Sequence, residues 1–333
     1  MQTKLTPTLK IPRRLAPPGK VLDLLRRRFG SPRLAPPRQF AGAMIHYRSG
    51  RFAIVGDLQS TSLMEFWRKS NAAERVQIIQ QIANEDPDFL AIVGDLVFCG
   101  SSATHWAAFD ELATPLGQAY VPILPLLGNH DYWLRRRPAL SHFFTRFPHL
   151  DGRHWFSTTY GPLGLIFLDS NVRRLPASQW YEQLDWYRQE LQRFEQMAAI
   201  LGVIVLLHHP PYTNSSHSSD ALQVQHAFVP SFVQARKTLV MVAGHVHSYE
   251  RFTRSGKTFL VTGGGGPRIK LATGQRRRHL DDCFGGPPLR GFHFLLCTPF
   301  PTRLEIEMRG LQQHCGMFET LDRIALPWAS DTG

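Results

Sequence analysis

The stretch TLVMVAGHVHSYER, residues 238–251, joins an apolar run to a pair of histidines. Alternate side chains of a strand face the same way, so His245 and His247 project in one direction where the apolar run ends. Two neighbouring imidazoles repel each other when protonated unless an anion or a metal lies between them. The spacing is therefore typical either of metal ligation or of a chance pair, and ligand-type residues elsewhere in the chain decide between the two.

Apolar runs that end in polar side chains recur upstream of this stretch. RFAIVGD (51–57) and FLAIVGD (89–95) end in Gly-Asp, VPILPLLGNHD (121–131) ends in Gly-Asn-His-Asp, and GVIVLLHHPP (202–211) continues into two histidines. GLIFLDS (164–170) is a further strand candidate. Helical periodicity between the runs predicts helices near residues 63–82, 109–112, 177–197 and 221–235. Buried strands alternating with helices predict an α/β fold with a helix-covered sheet.

Shorter strand patterns follow residue 251. A hairpin is predicted over 251–264, and two more strands over 291–298 and 302–308. These patterns predict a second, more antiparallel sheet packed against the first. We find no linker after residue 50 and predict one domain over residues 51–325, preceded by an arm at residues 1–50.

The arm carries most of the net charge. Residues 1–51 contain 12 Lys+Arg and one acidic residue, Asp23, whereas the whole chain has a net charge of +12. The nearly neutral body argues against a nucleic-acid surface that covers the whole protein. The prolines of the arm disfavour regular structure. The arm is either a solvated tail or a segment that contacts anionic lipid, RNA or an acidic partner, and its few serines argue against an organelle transit segment.

The composition excludes other classes. No apolar run reaches the length of a membrane span, so we expect no transmembrane segment, and the N-terminus lacks the apolar core of a secretory signal. The four cysteines are scattered and form no C-x-x-C pair, which indicates reduced thiols in a reducing compartment. We therefore expect a cytoplasmic protein.

The strand ends together predict a metal site. A single Asp after a strand is often a helix cap, but five endings with oxygen or imidazole donors are hard to explain as caps, and ligands collect at the carboxyl ends of such strands. Mixed carboxylate and imidazole donors suit Zn, Mn or Fe more than Mg or Ca. Two divalent ions can hold the attacking and leaving oxygens of a phosphoryl displacement, with a carboxylate between the ions.

The motif order G-D, G-D, G-N-H-D, H and G-H-x-H between Phe52 and Arg251 resembles the calcineurin-like metallophosphoesterase superfamily. GHVHSYER and HHPPY are similar to the purple acid phosphatase branch. The resemblance implies an α/β/β/α sandwich of two mixed β-sheets flanked by helices. It also implies a hydrolase with a dinuclear centre that cleaves phosphomonoesters or phosphodiesters, with a metal-bound hydroxide as the nucleophile.

The resemblance carries roles for individual residues. Asp95 would bridge the two ions, His130 would contact the phosphate and protonate the leaving oxygen, and Asp131 would orient His130. His217 lies where related enzymes have a substrate-facing histidine, although a solvated loop histidine is the alternative. The implied metal ligands are Asp57, Gln59, Asp95, Asn129, His208, His245 and His247, and the implied substrate-binding residues are Asn129, His130 and His217.

Two positions depart from the family pattern. Gln59 stands where many members have a histidine, and it either ligates weakly through its amide oxygen or leaves the position to water. Phe98 stands where purple acid phosphatases have an iron-binding tyrosine, which predicts a colourless protein. Both departures keep open a metal-binding or scaffold protein with little turnover. The basic arm keeps open a nuclease or an enzyme tethered to RNA.

Overall fold

The computed structural model describes residues 35–40, 47–62 and 69–329. The predictions for the basic arm fall mainly on residues 1–34 and 41–46, and the start of the first predicted helix falls on residues 63–68. These predictions lie outside the described residues.

Strands and helices alternate through the first two thirds of the described chain. The strands are β1 (Phe52–Val55), β2 (Leu90–Val93), β3 (Ile123–Leu126), β4 (Phe156–Tyr160), β5 (Leu163–Phe167), β6 (Gly202–Leu207), β7 (Thr238–Ala243), β8 (Tyr249–Arg254), β9 (Lys257–Thr262), β10 (His293–Phe300), β11 (Arg303–Gln312) and β12 (Met317–Pro327). The α-helices are α1 (Ala72–Asn84), α2 (Ala103–Leu112), α3 (Thr114–Gln118), α4 (Arg136–Arg146), α5 (Ala177–Gln196) and α6 (Leu222–Gln234), and Pro148–Leu150 and Gly274–Arg276 form 3₁₀ turns.

The strands form two six-stranded sheets. The first has the order β12-β11-β10-β1-β2-β3, with β1 to β3 parallel and β10 to β12 antiparallel. The second has the order β4-β5-β6-β7-β9-β8, with β5, β6, β7 and β9 parallel and antiparallel strands at both edges. Both sheets are therefore mixed, as the fold prediction requires.

Successive side chains of a strand face opposite sides of the sheet and therefore show which core each face packs against. In β1, Phe52 and Ile54 pack into the apolar core between the two sheets, while Ala53 and Val55 pack into the core formed with α1 to α4. The second sheet has the same pattern, with one face toward the first sheet and the other packed against α5 and α6. The predicted α/β/β/α sandwich of two mixed sheets flanked by helices is confirmed.

The prediction of which strands form the second sheet was wrong. The hairpin of β8 and β9 forms, but β9 joins the second sheet parallel to β7, and β10 to β12 extend the first sheet beside β1. Strand order depends on contacts between distant segments, which periodicity does not report. The strand β12 was not predicted, because it lies at a sheet edge and most of its side chains are exposed, so it has no apolar run.

No helix in the described part of the chain is both long and apolar enough to cross a membrane.

Candidate metal centre

The turns after β1, β2 and β7 have an unusual backbone. Asp57, Asp95 and His245 adopt φ values of 63°, 54° and 68°, the left-handed region that residues other than glycine rarely occupy. Each such residue costs about 1–3 kcal/mol and persists only where its surroundings enforce it. Here the Asp57 carboxylate accepts the His245 backbone N–H at 2.9 and 3.1 Å. Three of the predicted ligands thus carry backbone strain.

Two glycines let the strand ends approach each other. A Cβ atom on Gly94 would lie 2.5 Å from His208 Nδ1, and one on Gly128 would lie 2.2 Å from Asp95 Oδ1. Neither position has room for a side chain, because a real Cβ atom does not come so close to its neighbours. The Gly-Asp and Gly-Asn-His-Asp motifs therefore bring the ends of β2 and β3 against the ligand side chains.

One group of candidate ligands gathers around Asp57. His247 Nε2 lies 3.4 Å from Asp57 Oδ1 and 3.0 Å from the Gln59 amide. The amide is satisfied when its nitrogen donates to the backbone oxygens of Asp57 and Asp95, at 3.1 Å each, and its oxygen faces His247 Nε2. This orientation turns the Gln59 oxygen toward the same point as the imidazole.

A second group gathers around Asn129. Its Oδ1 lies 3.1 Å from His208 Nε2 and 2.9 Å from His245 Nδ1. The two histidines come from different strands of the second sheet, β6 and β7, whereas Asn129 follows β3 of the first sheet. The site therefore spans both sheets of the sandwich.

Asp95 lies between the two groups. Its Oδ2 is 3.3 Å from His208 Nε2 in one group and 3.4 Å from the side-chain amide of Gln59 in the other. Its Oδ1 accepts the backbone N–H of His130 at 2.8 Å. The Asp95 carboxylate thus lies beside side chains of both groups, which is the position required of a bridging carboxylate.

Backbone carbonyl groups fix the tautomers of two imidazoles. His208 Nδ1 donates to Val93 O at 2.9 Å, and His247 Nδ1 donates to Pro267 O at 2.8 Å. The Nε2 atom of each ring therefore faces the carboxylates. Such outer hydrogen bonds typically orient the histidine ligands of a metal.

The electrostatics of this cluster are those of buried carboxylates balanced by imidazoles. Burial disfavours the charged form of His208, but Asp95 raises the pKa of His208 to about 9. Burial and the neighbouring His208 lower the pKa of His245 to about 3. Although burial acts in the opposite direction, His208 and His130 hold the pKa of Asp95 below its ordinary value. A divalent cation would displace protons from such a cluster on binding.

The chemistry of the donor set fits a metal. Asp57 and Asp95 are at most 1% exposed, and among the described residues no Lys or Arg forms an ion pair with either. Donor atoms of Asp57, Asp95 and His208 all lie within 4.8 Å of one another. Buried carboxylates without a cationic side chain, beside imidazole and amide oxygen donors, suit a transition-metal ion.

His130 lies at the edge of the cluster. Its Nδ1 donates to Phe98 O at 2.7 Å, and its ring packs against the Phe98 and Trp133 rings, 5.1 Å from each. This arrangement fixes the tautomer and leaves Nε2 without a described protein partner. Nε2 is therefore the ring nitrogen that is open to a ligand.

Asp131, predicted to orient His130, has backbone N–H groups as its described partners. Asp131 is fully buried, and its carboxylate accepts the backbone N–H groups of Asp95 and Gly128 at 2.9 Å and of Leu96 at 3.0 Å. The described hydrogen bonds of this carboxylate go to backbone N–H groups, and the described hydrogen bond of the His130 ring goes to Phe98 O. Asp131 instead ties the turn after β2 to the turn after β3.

Two neighbours of the cluster, His209 and Ser170, were not among the predicted ligands. His209 lies beside His208 and His245, with ring centroids 4.9 and 4.7 Å away, and its Nδ1 is 2.9 Å from Ser170 Oγ. A nitrogen of His209 also lies within 4.8 Å of those of His208 and His245. The paired histidines of the HHPPY motif were the signal for this neighbour, whereas Ser170 had no motif that could identify it.

His217 has no described contact with the predicted metal ligands. It lines a cavity with Lys69, Arg268 and Lys270, and none of the predicted metal ligands lines that cavity. Its Nδ1 is hydrogen-bonded to the adjacent Ser216 hydroxyl at 2.9 Å.

Comparisons with known proteins identify the family. The sequence model of the calcineurin-like phosphoesterase family matches residues 50–249. Purple acid phosphatase 22 of Arabidopsis thaliana is 28% identical over 240 residues, which cover 66% of this chain and 51% of the relative. The chain thus spans about half the length of the curated relatives that it matches.

Two solved structures share the fold. GAP50, described as the anchor in the inner membrane complex of Plasmodium, matches with a TM-score of 0.63 and 14% identity, over 85% of this chain and 90% of that one. A dimetal phosphatase from Danio rerio matches with a TM-score of 0.59 and 15% identity, over 84% and 98%. Because the family model covers more than half of the sequence, the chain belongs to the calcineurin-like phosphoesterase family.

Proposed function

We propose that the protein is a metal-dependent phosphoesterase that hydrolyses phosphomonoesters or phosphodiesters at a centre of two divalent ions, Mn, Fe or Zn. The observation that carries this proposal is the position of Asp95, which contacts one member of each ligand group. A buried carboxylate between two sets of neutral donors can screen two cations held close together.

The ligand groups define two sites. Asp57, Gln59 and His247 would hold one ion, Asn129, His208 and His245 the other, and Asp95 both. When bound, such ions polarise the phosphoryl oxygens and lower the pKa of water.

The other residues bind the substrate and move a proton. His130 would hold a proton at Nε2 and donate it to the leaving oxygen, because its Nδ1 is already bound to Phe98 O. Asn129 would also contact the phosphate. A small phosphoester is the favoured substrate class, because the chain outside residues 1–51 is nearly neutral.

A second candidate is a scaffold or metal-binding protein with the same fold and little turnover. Gln59 favours it, because an amide oxygen is a weaker ligand for transition metals than an imidazole. GAP50, described as an anchor, has this fold as well. The intact ligand groups and the free Nε2 atom of His130 favour the enzyme.

Turnover tests the proposal. The purified full chain, loaded in turn with Mn, Zn or Fe, is assayed on p-nitrophenyl phosphate and on its bis ester. Asp95→Asn and Asn129→Ala should abolish turnover. Asp185→Asn should retain it, since Asp185 is an exposed α5 residue paired with Arg188. Equal turnover in all four proteins would exclude the site, and metal binding without any turnover would select the scaffold.

A further inference from the structure

A cavity of about 520 Å³ adjoins the metal centre at Asn129. Its walls come from the loop after β5 and from the start of α6. The volume is in the range of cavities that hold a small organic ligand. This cavity begins at a candidate ligand of the metal centre, so a phosphoester bound at that centre can extend its organic part into it.

The cavity has a basic rim. Arg173 and Arg174 both line it, both are exposed, and neither guanidinium has a hydrogen bond or ion pair with a described residue. Asp220, the acidic residue of the lining, is already engaged by His279 Nε2 at 2.9 and 3.0 Å and by the Thr213 backbone N–H at 2.9 Å. The rim therefore offers two free cations to an anion.

The wall combines apolar surface with one unpaired acceptor. Leu222 is 57% exposed and Val224 is buried, and both line the cavity. Asn171 is 3% exposed, and its amide nitrogen donates to Leu127 O at 2.9 Å and to Asp169 Oδ1 at 2.8 Å. These two acceptors fix the amide, so its Oδ1 is left without a protein partner. An unpaired buried acceptor beside a cavity awaits a donor from a ligand or water.

We propose that this cavity binds the organic part of the substrate, and that Arg173 and Arg174 select phosphoesters carrying a second anionic group. The inference rests on the proposed phosphoesterase function. The second group is a carboxylate or a further phosphate, because both accept hydrogen bonds from guanidinium groups. The apolar wall suits a carbon skeleton between the two anions, and Asn171 Oδ1 suits a hydroxyl or amine on that skeleton.

The test compares two substrates that differ only in the distal charge. These are 4-carboxyphenyl phosphate and its carboxylate methyl ester. In the double variant Arg173→Gln and Arg174→Gln, kcat/KM for the carboxylate should fall about 5-fold, mainly through KM, as expected for two exposed ion pairs. The ester should change less than about 2-fold. Arg188→Gln, which removes one exposed α5 charge outside the cavity lining, should affect neither substrate.

A third substrate carries a phosphonate in place of the carboxylate. The preferred anion is the one whose substrate shows the larger loss of kcat/KM in the double variant. Equal losses for the carboxylate and the ester would mean that the arginines bind the transferred phosphate, which overturns the proposal. No loss for either substrate would also overturn it.

Binding without turnover separates this inference from the proposed function. Calorimetry measures the dissociation constants of 4-carboxybenzylphosphonate and its carboxylate methyl ester on the metal-loaded protein. If no phosphoester is hydrolysed but the double variant still loses affinity only for the carboxylate, the enzyme assignment fails and the cavity assignment stands. If hydrolysis occurs and both ligands bind the double variant as they bind the unaltered protein, the enzyme assignment stands and the cavity assignment fails.

Discussion

His130 donates a hydrogen bond from Nδ1 to the carbonyl oxygen of Phe98 at 2.7 Å, and the Phe98 ring lies 5.1 Å from the imidazole. The residue that replaces the tyrosine of purple acid phosphatases thus packs against the proposed acid. Its backbone fixes the tautomer, and its side chain restricts the orientation of the ring.

Replacing the ring of Phe98 tests this relationship. Phe98→Leu keeps the backbone carbonyl but removes the aromatic packing, so we expect kcat to fall about 10-fold, a fraction of the effect of a general acid, with a smaller change in KM. Steady-state kinetics on the best phosphoester measures this. Phe144→Leu, at a partly buried position of α4, is the control. Equal kcat in Phe98→Leu and the unaltered protein would remove Phe98 from the account.

Asp131 should act through the backbone. Two carboxylate oxygens of Asp131 share the Asp95, Leu96 and Gly128 N–H groups, and Asp131→Asn replaces one of these acceptors by an NH2 donor, so the free energy of unfolding should fall by about 1–3 kcal/mol. Denaturant unfolding measures the loss. The pH profile of the remaining activity should keep its shape. A shifted pH profile at unchanged stability would instead support the prediction that Asp131 orients His130.

Gln59 should control the affinity of one ion. Gln59→Ala removes the oxygen that faces His247 Nε2 at 3.0 Å, and we expect the affinity for that ion to fall about 10-fold, whereas Gln59→His should raise it. Titration of the metal-free protein measures both changes. Gln80→Ala, on the exposed face of α1, should have no effect. Unchanged affinity in Gln59→Ala would show that water occupies the position.

Glu250 should make stability depend on pH. Burial raises its pKa from 4.5 to about 7, although its carboxylate accepts hydrogen bonds from the Thr213 hydroxyl at 2.5 Å and the Asn214 N–H at 2.7 Å. The charges nearby are those of Asp282 and Arg290. Because the pKa is higher in the folded state, the stability from this group is present below pH 4.5 and is lost as the pH rises through 7.

Glu250→Gln should remove this dependence. Relative to the unaltered protein, the variant should gain roughly 3 kcal/mol of unfolding free energy between pH 5 and pH 8, at about 1.4 kcal/mol for each unit of pKa shift. Urea unfolding in the presence of a chelator measures the difference at constant metal loading. A difference that stays constant across this range would contradict the assignment.

The apolar runs in the sequence predicted the central strands of the fold and most residues of the ligand cluster. The strands that end at Asp57, Asp95 and His208 are buried and continuous, and parallel strands bring such ends together. The side-chain partner of Asp131 was not predictable, because it depends on how two turns approach in space. Asn171 and Arg173 were not predicted, because the residues that line a cavity do not recur at regular intervals in the sequence.

Other predictions from the sequence stay predictions. These are the domain limits at residues 51–325, the cytoplasmic location, the colourless protein and the partner of the basic arm. The arm lies largely outside the described residues.

Metal content of the purified protein tests the central claim most directly. Elemental analysis should find about two ions per chain in the protein loaded with Mn, Zn or Fe, since a bridging carboxylate holds a pair of ions. In Asp95→Asn the content should fall to one ion or none, together with loss of phosphoester hydrolysis. Two ions retained in Asp95→Asn, or none bound by the unaltered protein, would contradict the account.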